Sequence, residues 1–221
     1  MKRSYDQYCG LAKALDLVGG RWTPLLIREL IPGPRRFRDL MDGLPGIGTN
    51  LLADRLRQLQ DGGVVVKRTL PPPAGSTVYD LTERGRELVP ILGGLARWGF
   101  ATTGPLGERD EFRVHWLMIV REGAFRPEAG RGERITCEMR TSESDVAHFR
   151  IDDGAFEILH GPADDPDLSL SGEPRTLVDL FEGAVPPEEA IANGVELEGD
   201  PGALRRLLAM FDPPAADRDD A

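Results

Sequence analysis

The stretch FRDLMDGLPGIGTNLLADRLRQL, residues 37–59, decides the fold. Phe37, Leu40, Met41 and Leu44 recur at helical spacing and predict a short helix. Pro45-Gly46-Ile47-Gly48 interrupts it as a turn. Leu52, Leu56 and Leu59 then restart the period and predict a longer helix, which Gly62-Gly63 ends. Two short helices joined by a tight glycine-containing turn form a helix-turn-helix.

Upstream, Tyr8, Leu11, Leu15 and Val18 lie on one face of a first helix, stopped by Gly19-Gly20. Trp22, Leu25, Leu26 and Leu30 predict a second helix, closed by Pro32-Gly33-Pro34. Downstream, the β-branched run from Val64 to Leu70, a Pro/Gly/Ser tip over Pro71 to Ser76, and Val78-Tyr79-Asp80-Leu81 predict a hairpin, a wing. Thr82 is placed to cap a last helix, with Glu83 in its positive first turn. Leu88, Ile91, Leu92, Leu95 and Trp98 form that helix's apolar stripe. The sum is a winged helix.

Leu15-Asp16-Leu17-Val18-Gly19-Gly20-Arg21-Trp22, Gly33-Pro34-Arg35-Arg36-Phe37, Leu44-Pro45-Gly46-Ile47, Leu52 through Arg55-Leu56, and Tyr79-Asp80-Leu81-Thr82-Glu83-Arg84-Gly85 together resemble the HxlR-like transcriptional regulators, over about residues 8–100. The resemblance implies a homodimer whose first and last helices pack across the two-fold axis, on a palindromic operator. It departs at Gly48, where that family's recognition helix often begins with Ser. Thr49 or Asn50 is left to cap the helix or to meet DNA.

A recognition helix enters the major groove with its N-terminal residues toward base edges. With Leu52, Leu56 and Leu59 inward, Thr49, Asn50, Ala53, Asp54 and Arg57 face solvent or DNA. Asn pairs bidentately with adenine and Arg with guanine. Arg35, Arg36 and Arg38, at the start of the preceding helix, and Lys67 and Arg68 on the wing, suit phosphate contacts, which carry affinity but little code. The opposing reading pairs these arginines with Asp39, Asp42 and Asp54. Cys9 is a redox candidate, since the resemblance includes members with a sensing cysteine near the N-terminus. Lys2, Arg3 and Lys13 are its nearest cations in sequence, and the thiolate that such chemistry needs is stabilised by positive charge.

The net charge of −10 conceals an asymmetry. Residues 1–105 carry 15 Lys and Arg against 10 Asp and Glu, a net of +5; residues 106–221 carry 12 against 27, a net of −15. Only the first half favours a polyanion. No apolar run reaches the roughly 18 residues of a membrane span, and MKRSYDQYCG is no signal peptide. Cys9 and Cys137 make neither a disulfide framework nor a four-ligand metal site. The expectation is a cytoplasmic protein without a cofactor.

The second half predicts a helix with Trp116, Ile119 and Val120, then alternating strands on Ile135/Cys137/Met139, Ala147/Phe149/Ile151, Phe156/Ile158 and Leu168/Leu170. A helix capped by Thr176, another within Ala184 to Asn193, a strand over Val195–Glu198 and a helix opened by Asp200-Pro201 follow. This is an α+β domain with an antiparallel sheet. Asp153-Gly154, Asp164-Asp165-Pro166-Asp167-Leu168, Ile191-Ala192-Asn193-Gly194 and Glu198-Gly199-Asp200-Pro201 resemble the SCP2-like (sterol-carrier-protein) fold over about 110–212. That resemblance implies an apolar tunnel, for which Trp116, Met118, Phe125, Met139, Phe149, Phe156 and Phe181 are candidate lining residues, against the simpler reading that they fill a core. His115, His148 and His160 lack metal-ligand spacing, and no nucleophile or phosphate-loop motif occurs, so no enzyme is expected. The Asp164–Asp167 loop lacks the Gly and Glu of a calcium loop.

The expected organisation is a winged-helix DNA-binding domain over 1–103, a ligand-binding or dimerisation domain over 104–212 and a disordered tail over 213–221. Its expected function is that of a DNA-binding repressor, homodimeric, with an apolar small-molecule effector. The alternative is a carrier of lipid-like ligands whose winged helix is only structural.

Overall fold

The computed structural model describes residues 4–72, 75–100, 103–104, 106–107 and 110–212. The proposed tail from 213 lies outside these residues, as do Lys2, Arg3, Thr102 and Pro105. The chain divides into two compact units, Met1–Val89 and Pro90–Ala221.

In the first unit, α1 (Gly10–Val18), α2 (Thr23–Leu30), α3 (Phe37–Gly43) and α4 (Thr49–Asp61) precede a hairpin of β1 (Val65–Thr69) and β2 (Thr77–Leu81) and the short α5 (Glu83–Arg86). Leu26, Ile27, Leu30, Leu40, Leu52, Leu56 and Leu59 are almost wholly buried, each side chain contributing about 1.5–3 kcal/mol. The Gly-Gly-Arg-Trp segment acts through geometry. Trp22 takes φ +76°, a left-handed conformation costly for a bulky residue. A Cβ on Gly46, itself at φ +90°, would meet the Trp22 indole at 3.7 Å, so the turn between α3 and α4 rests close above that ring. A Cβ on Gly62 would stand 2.3 Å from Leu17 Cδ1, so α1 packs tightly on the end of α4 through Leu17.

Two expectations for this region change. Tyr8 precedes α1 instead of lying within it; the Leu11/Leu15 face of α1, like Leu25 of α2, is exposed. The last helix is two: Thr82 Oγ1 accepts from the Gly85 N–H at 3.0 Å, as its capping role requires, but α5 ends at Arg86 and α6 (Val89–Phe100) begins beyond a turn holding Leu88. All but the first residue of α6 belongs to the second unit.

The second unit continues with α7 (Val114–Glu122), β3 (Arg134–Ser142), β4 (Asp145–Asp152), β5 (Ala155–His160), β6 (Leu168–Ser171), α8 (Pro174–Phe181), α9 (Pro187–Ala192), β7 (Glu196–Gly199) and α10 (Pro201–Leu208). Asp153 and Gly154 both have positive φ, +50° and +85°, as a two-residue hairpin between β4 and β5 demands. Asp200 caps α10, its carboxylate accepting from the Gly202 and Ala203 N–H groups. Thr176 lies inside α8, whose N-cap is Glu173.

Among the described residues, five strands form one sheet in the order β5-β4-β3-β6-β7. It is mixed, not antiparallel, because β6 pairs parallel to β3, Leu168 opposite Cys137. Alternation tells which face a residue takes but not which way a strand runs. The loop from Gly161 to Asp167 carries the chain across to the far side of β3, and the Asp167 carboxylate pins it by accepting the Thr136 N–H at 2.8 Å.

The α6 and α7 backbones meet through glycine. A Cβ built on Gly123 would lie 2.2 Å from the Gly93 carbonyl carbon, and one on Gly93 would lie 2.8 Å from the Gly123 nitrogen. Arg97 of α6 adds an ion pair to Asp212 at 2.8 Å.

Candidate functional site

The basic first unit exposes most of the residues that the sequence marks for DNA. On α4, Thr49, Asn50, Asp54 and Arg57 are exposed and Ala53 half-buried, opposite the buried Leu52/Leu56/Leu59 face. Gly48 is the N-cap, and no side chain caps the helix. Neither Thr49 nor Asn50 therefore takes the capping role, and both side chains are exposed at the N-terminal end of α4. Arg57 makes an exposed ion pair with Asp54 at 3.2 Å, a contact worth little in water and easily exchanged.

Arg35 is not at a helix start. Its backbone pairs with Tyr79, accepting at 2.8 Å and donating at 2.9 Å, which adds a short third segment beside the wing. That pairing fixes where α3 begins. Arg36 is its N-cap residue and Arg38 its second residue; both are exposed, and neither makes an ion pair among the described residues. Asp39 accepts the Arg36 N–H at 3.0 Å, so that carboxylate serves the helix end rather than a guanidinium.

On the wing the two cations differ. Lys67 extends past the Tyr79 ring, 5.9 Å from its centroid, with its strand position exposed. Arg68 binds Asp80 at 2.5 Å, and Arg86 reaches the same carboxylate at 3.3 Å. Asp80 is 7% exposed, so the buried charge holds both arginines. Sequence reading missed this acid because it sits inside the very motif that gave the resemblance. Lys67→Ala should weaken binding to all duplexes alike and lower the salt slope by about one unit. Arg68→Ala should act mainly on folding, since it strips a partner from a buried carboxylate. Salt titrations of both variants check this; equal slope changes would contradict it.

Apolar surface is left open in both units. Leu11 and Leu15 on α1 are 68% and 40% exposed, with Tyr5 and Tyr8 beside them in sequence; Ile91, Leu95 and Trp98 on α6 are 62%, 53% and 72% exposed. Each set recurs at helical spacing on one stripe, which water-facing helices avoid.

Of the candidate ligand residues, Met118, Met139 and Phe149 are closed in the core. Phe156 stacks on Phe149 at 5.1 Å and lies tilted against Phe125 at 5.2 Å, with Phe211 against Phe125 and Phe156, and Phe181 edge-on to Phe149 at 6.5 Å. These rings pack on one another as core side chains do. Trp116 instead lines a cleft of about 520 Å³ between the end of α6, α7 and α8, and Phe181 lines one of about 340 Å³. The histidines are less scattered than their spacing suggests. His115 and His160 meet at 4.9 Å because α7 packs on β5, while His148 Nδ1 lies 3.0 Å from the Gly161 carbonyl. Among the described residues, no group of three His, Cys, Asp or Glu could hold a metal ion, and no helix is long and apolar enough to cross a membrane. Cys9 is exposed at the N-cap of α1, whereas Cys137 is buried and its thiol pushed strongly up by desolvation.

The HxlR-like helix-turn-helix family model matches residues 17–105. The alkyl sulfatase C-terminal model matches residues 126–217, so that description, rather than a sterol-carrier one, is what the second half matches. An HTH-type transcriptional regulator of Synechocystis sp. is 40% identical over 84 residues, 38% of this chain and 62% of that protein, so the chain spans under two thirds of that relative. YvaP of Bacillus subtilis is 35% identical over 86 residues, 39% of this chain and 80% of its own length. The redox regulator HypR in its oxidized form is 31% identical, with 43% of this chain and 99% of that chain covered at a TM-score of 0.41. By its N-terminal half, the chain belongs to the HxlR-like family of helix-turn-helix transcriptional regulators.

Proposed function

We propose that the chain is a homodimeric repressor that binds a palindromic DNA operator through α4 and the wing, and whose second unit takes an apolar small molecule as effector. The observation that carries the DNA-binding reading is the divided surface of α4. Its leucines are buried while Thr49, Asn50 and Arg57 stand exposed, with Arg36 and Arg38 also exposed and making no ion pair among the described residues. The exposed stripes of α1 and α6 support dimerisation, and half-sites should then lie about one helical turn apart. A mixed sheet covered by helices, with turns at Asp153-Gly154 and Asp200-Pro201, supports a sterol-carrier-like layout for the second unit. The aromatic packing moves the expected ligand from a tunnel to a cleft. A domain division near residue 103 is supported by a family match that runs on to residue 105, while the compact units part at residue 89.

Selection of bound duplexes from random DNA, followed by footprinting, tests this reading; recovery of no enriched palindrome overturns it. Asn50→Ala sharpens the test. The side chain makes no cap, so its loss should leave the melting temperature unchanged. It should relax the preference at one base pair per half-site by about 1–3 kcal/mol. A lower melting temperature with an unaltered preferred sequence would reject the base-contact role.

A further inference from the structure

The cleft beside α6 has a composition that selects a ligand class. Its apolar wall is Phe100, Phe112, Trp116, Leu117, Val120 and Val178, at about 520 Å³, within the range of roughly 300–1,000 Å³ that holds small molecules. Among the described lining residues are four carboxylates, Asp110, Glu111, Asp179 and Glu182, and one cation, Arg175. Arg175 is 62% exposed and leans toward Asp179 at 3.8 Å. Glu182 is the least satisfied. Its Oε1 is buried without a hydrogen-bond partner, and Arg121 stands 3.8 Å away, beyond hydrogen-bond reach. Burial pushes this carboxyl up despite the pull of Arg121 and Arg97. An apolar anion meets repulsion here, and a neutral body leaves the excess of acids over Arg175 and Arg121 uncompensated. A cation with an aromatic or aliphatic body is matched on both counts.

We propose that this cleft binds an apolar organic cation, a small molecule with a hydrophobic body and one quaternary or protonated centre. The proposal rests on reading the second unit as an effector domain and gives that domain's ligand its charge. Phe100 is the last residue of α6, the helix that bears the exposed Leu95 and Trp98. An occupant touching Phe100 therefore bears on the helix that the proposed dimer uses.

Tetraphenylphosphonium and tetraphenylborate, alike in shape and opposite in charge, are the probes, titrated calorimetrically into the full chain. The phosphonium should bind at least tenfold more tightly than the borate. Asp179→Asn with Glu182→Gln should erase that preference. Arg175→Gln, at an exposed site that the fold does not need, should tighten phosphonium binding several-fold. No phosphonium binding, a preference for the borate, or weaker binding in Arg175→Gln would overturn the assignment. Duplex binding by the same preparation without probe separates the two readings: its loss counts against the DNA-binding function and its persistence without phosphonium binding counts against the cleft alone.

Discussion

Leu11→Asp combined with Leu95→Asp should convert the protein to a monomer while leaving its melting temperature almost unchanged. Both positions are more than half exposed in the single chain, at 68% and 53%. A surface substitution away from packed features ordinarily changes stability by about 0.5 kcal/mol or less. The two stripes are nevertheless apolar where an isolated surface helix would be polar, and a carboxylate placed between two such stripes is left without a partner. Losing the dimer removes the linkage between half-sites, so affinity for a palindromic duplex should fall by about 100-fold or more, with little change for one half-site. Light scattering at micromolar concentration and duplex titration check both halves of the result. A variant that stays dimeric shows that the chain pairs by another surface. A variant that loses its fold shows that these leucines are buried by contacts within the monomer.

Most of the winged helix is legible in the sequence because each of its parts obeys a local rule. The period of Leu52, Leu56 and Leu59, the Pro45–Gly48 turn and the β-branched run before Pro71 all act within a few residues of themselves. Phosphate candidates are less legible. Whether a cation is free depends on the acid that folding brings to it, and Asp80 reaches Arg68 from twelve residues away across the hairpin. The fate of the α1 stripe was hidden for the opposite reason. Periodicity reports an apolar face but not what covers it, so Leu11 reads the same whether its partner is a core or a second subunit.

In the second unit, Asp153-Gly154 and Asp200-Pro201 announce a hairpin and a helix start through their own backbone preferences. The parallel pairing of β6 with β3 leaves no local mark. Nor does the aromatic cluster, which depends on Phe125, Phe149, Phe156 and Phe211 converging from α7's exit, two strands and the chain beyond α10. The cleft was missed as a candidate because its acids arrive from two distant segments, 110–111 and 179–182.

The same limit hid the tightest contact in the second unit, and it supports the other large effect. Gly123→Ala should lower the stability of the second unit by about 3 kcal/mol, the upper part of the range for overpacking. Gly123 sits at the end of α7 with φ −65° and ψ −12°, a conformation any residue adopts. Considered locally, alanine is better than glycine there by up to roughly 1 kcal/mol. The opposing effect is steric. The new methyl would stand 2.2 Å from the Gly93 carbonyl carbon and 2.3 Å from its oxygen. Those are backbone atoms inside a helix, with no side-chain rotamer to swing away, so α6 must withdraw from α7. The Arg97–Asp212 ion pair, which ties α6 to the chain beyond α10, would be strained with it. A loss of this size corresponds to a fall in melting temperature of roughly 10 °C or more for a domain of about 100 residues. Calorimetry of the full chain should show it in the transition of the second unit, with that of the winged helix unmoved. An unchanged or raised melting temperature would mean that the helix preference outweighs the clash and that the α6–α7 crossing is loose enough to admit a methyl group.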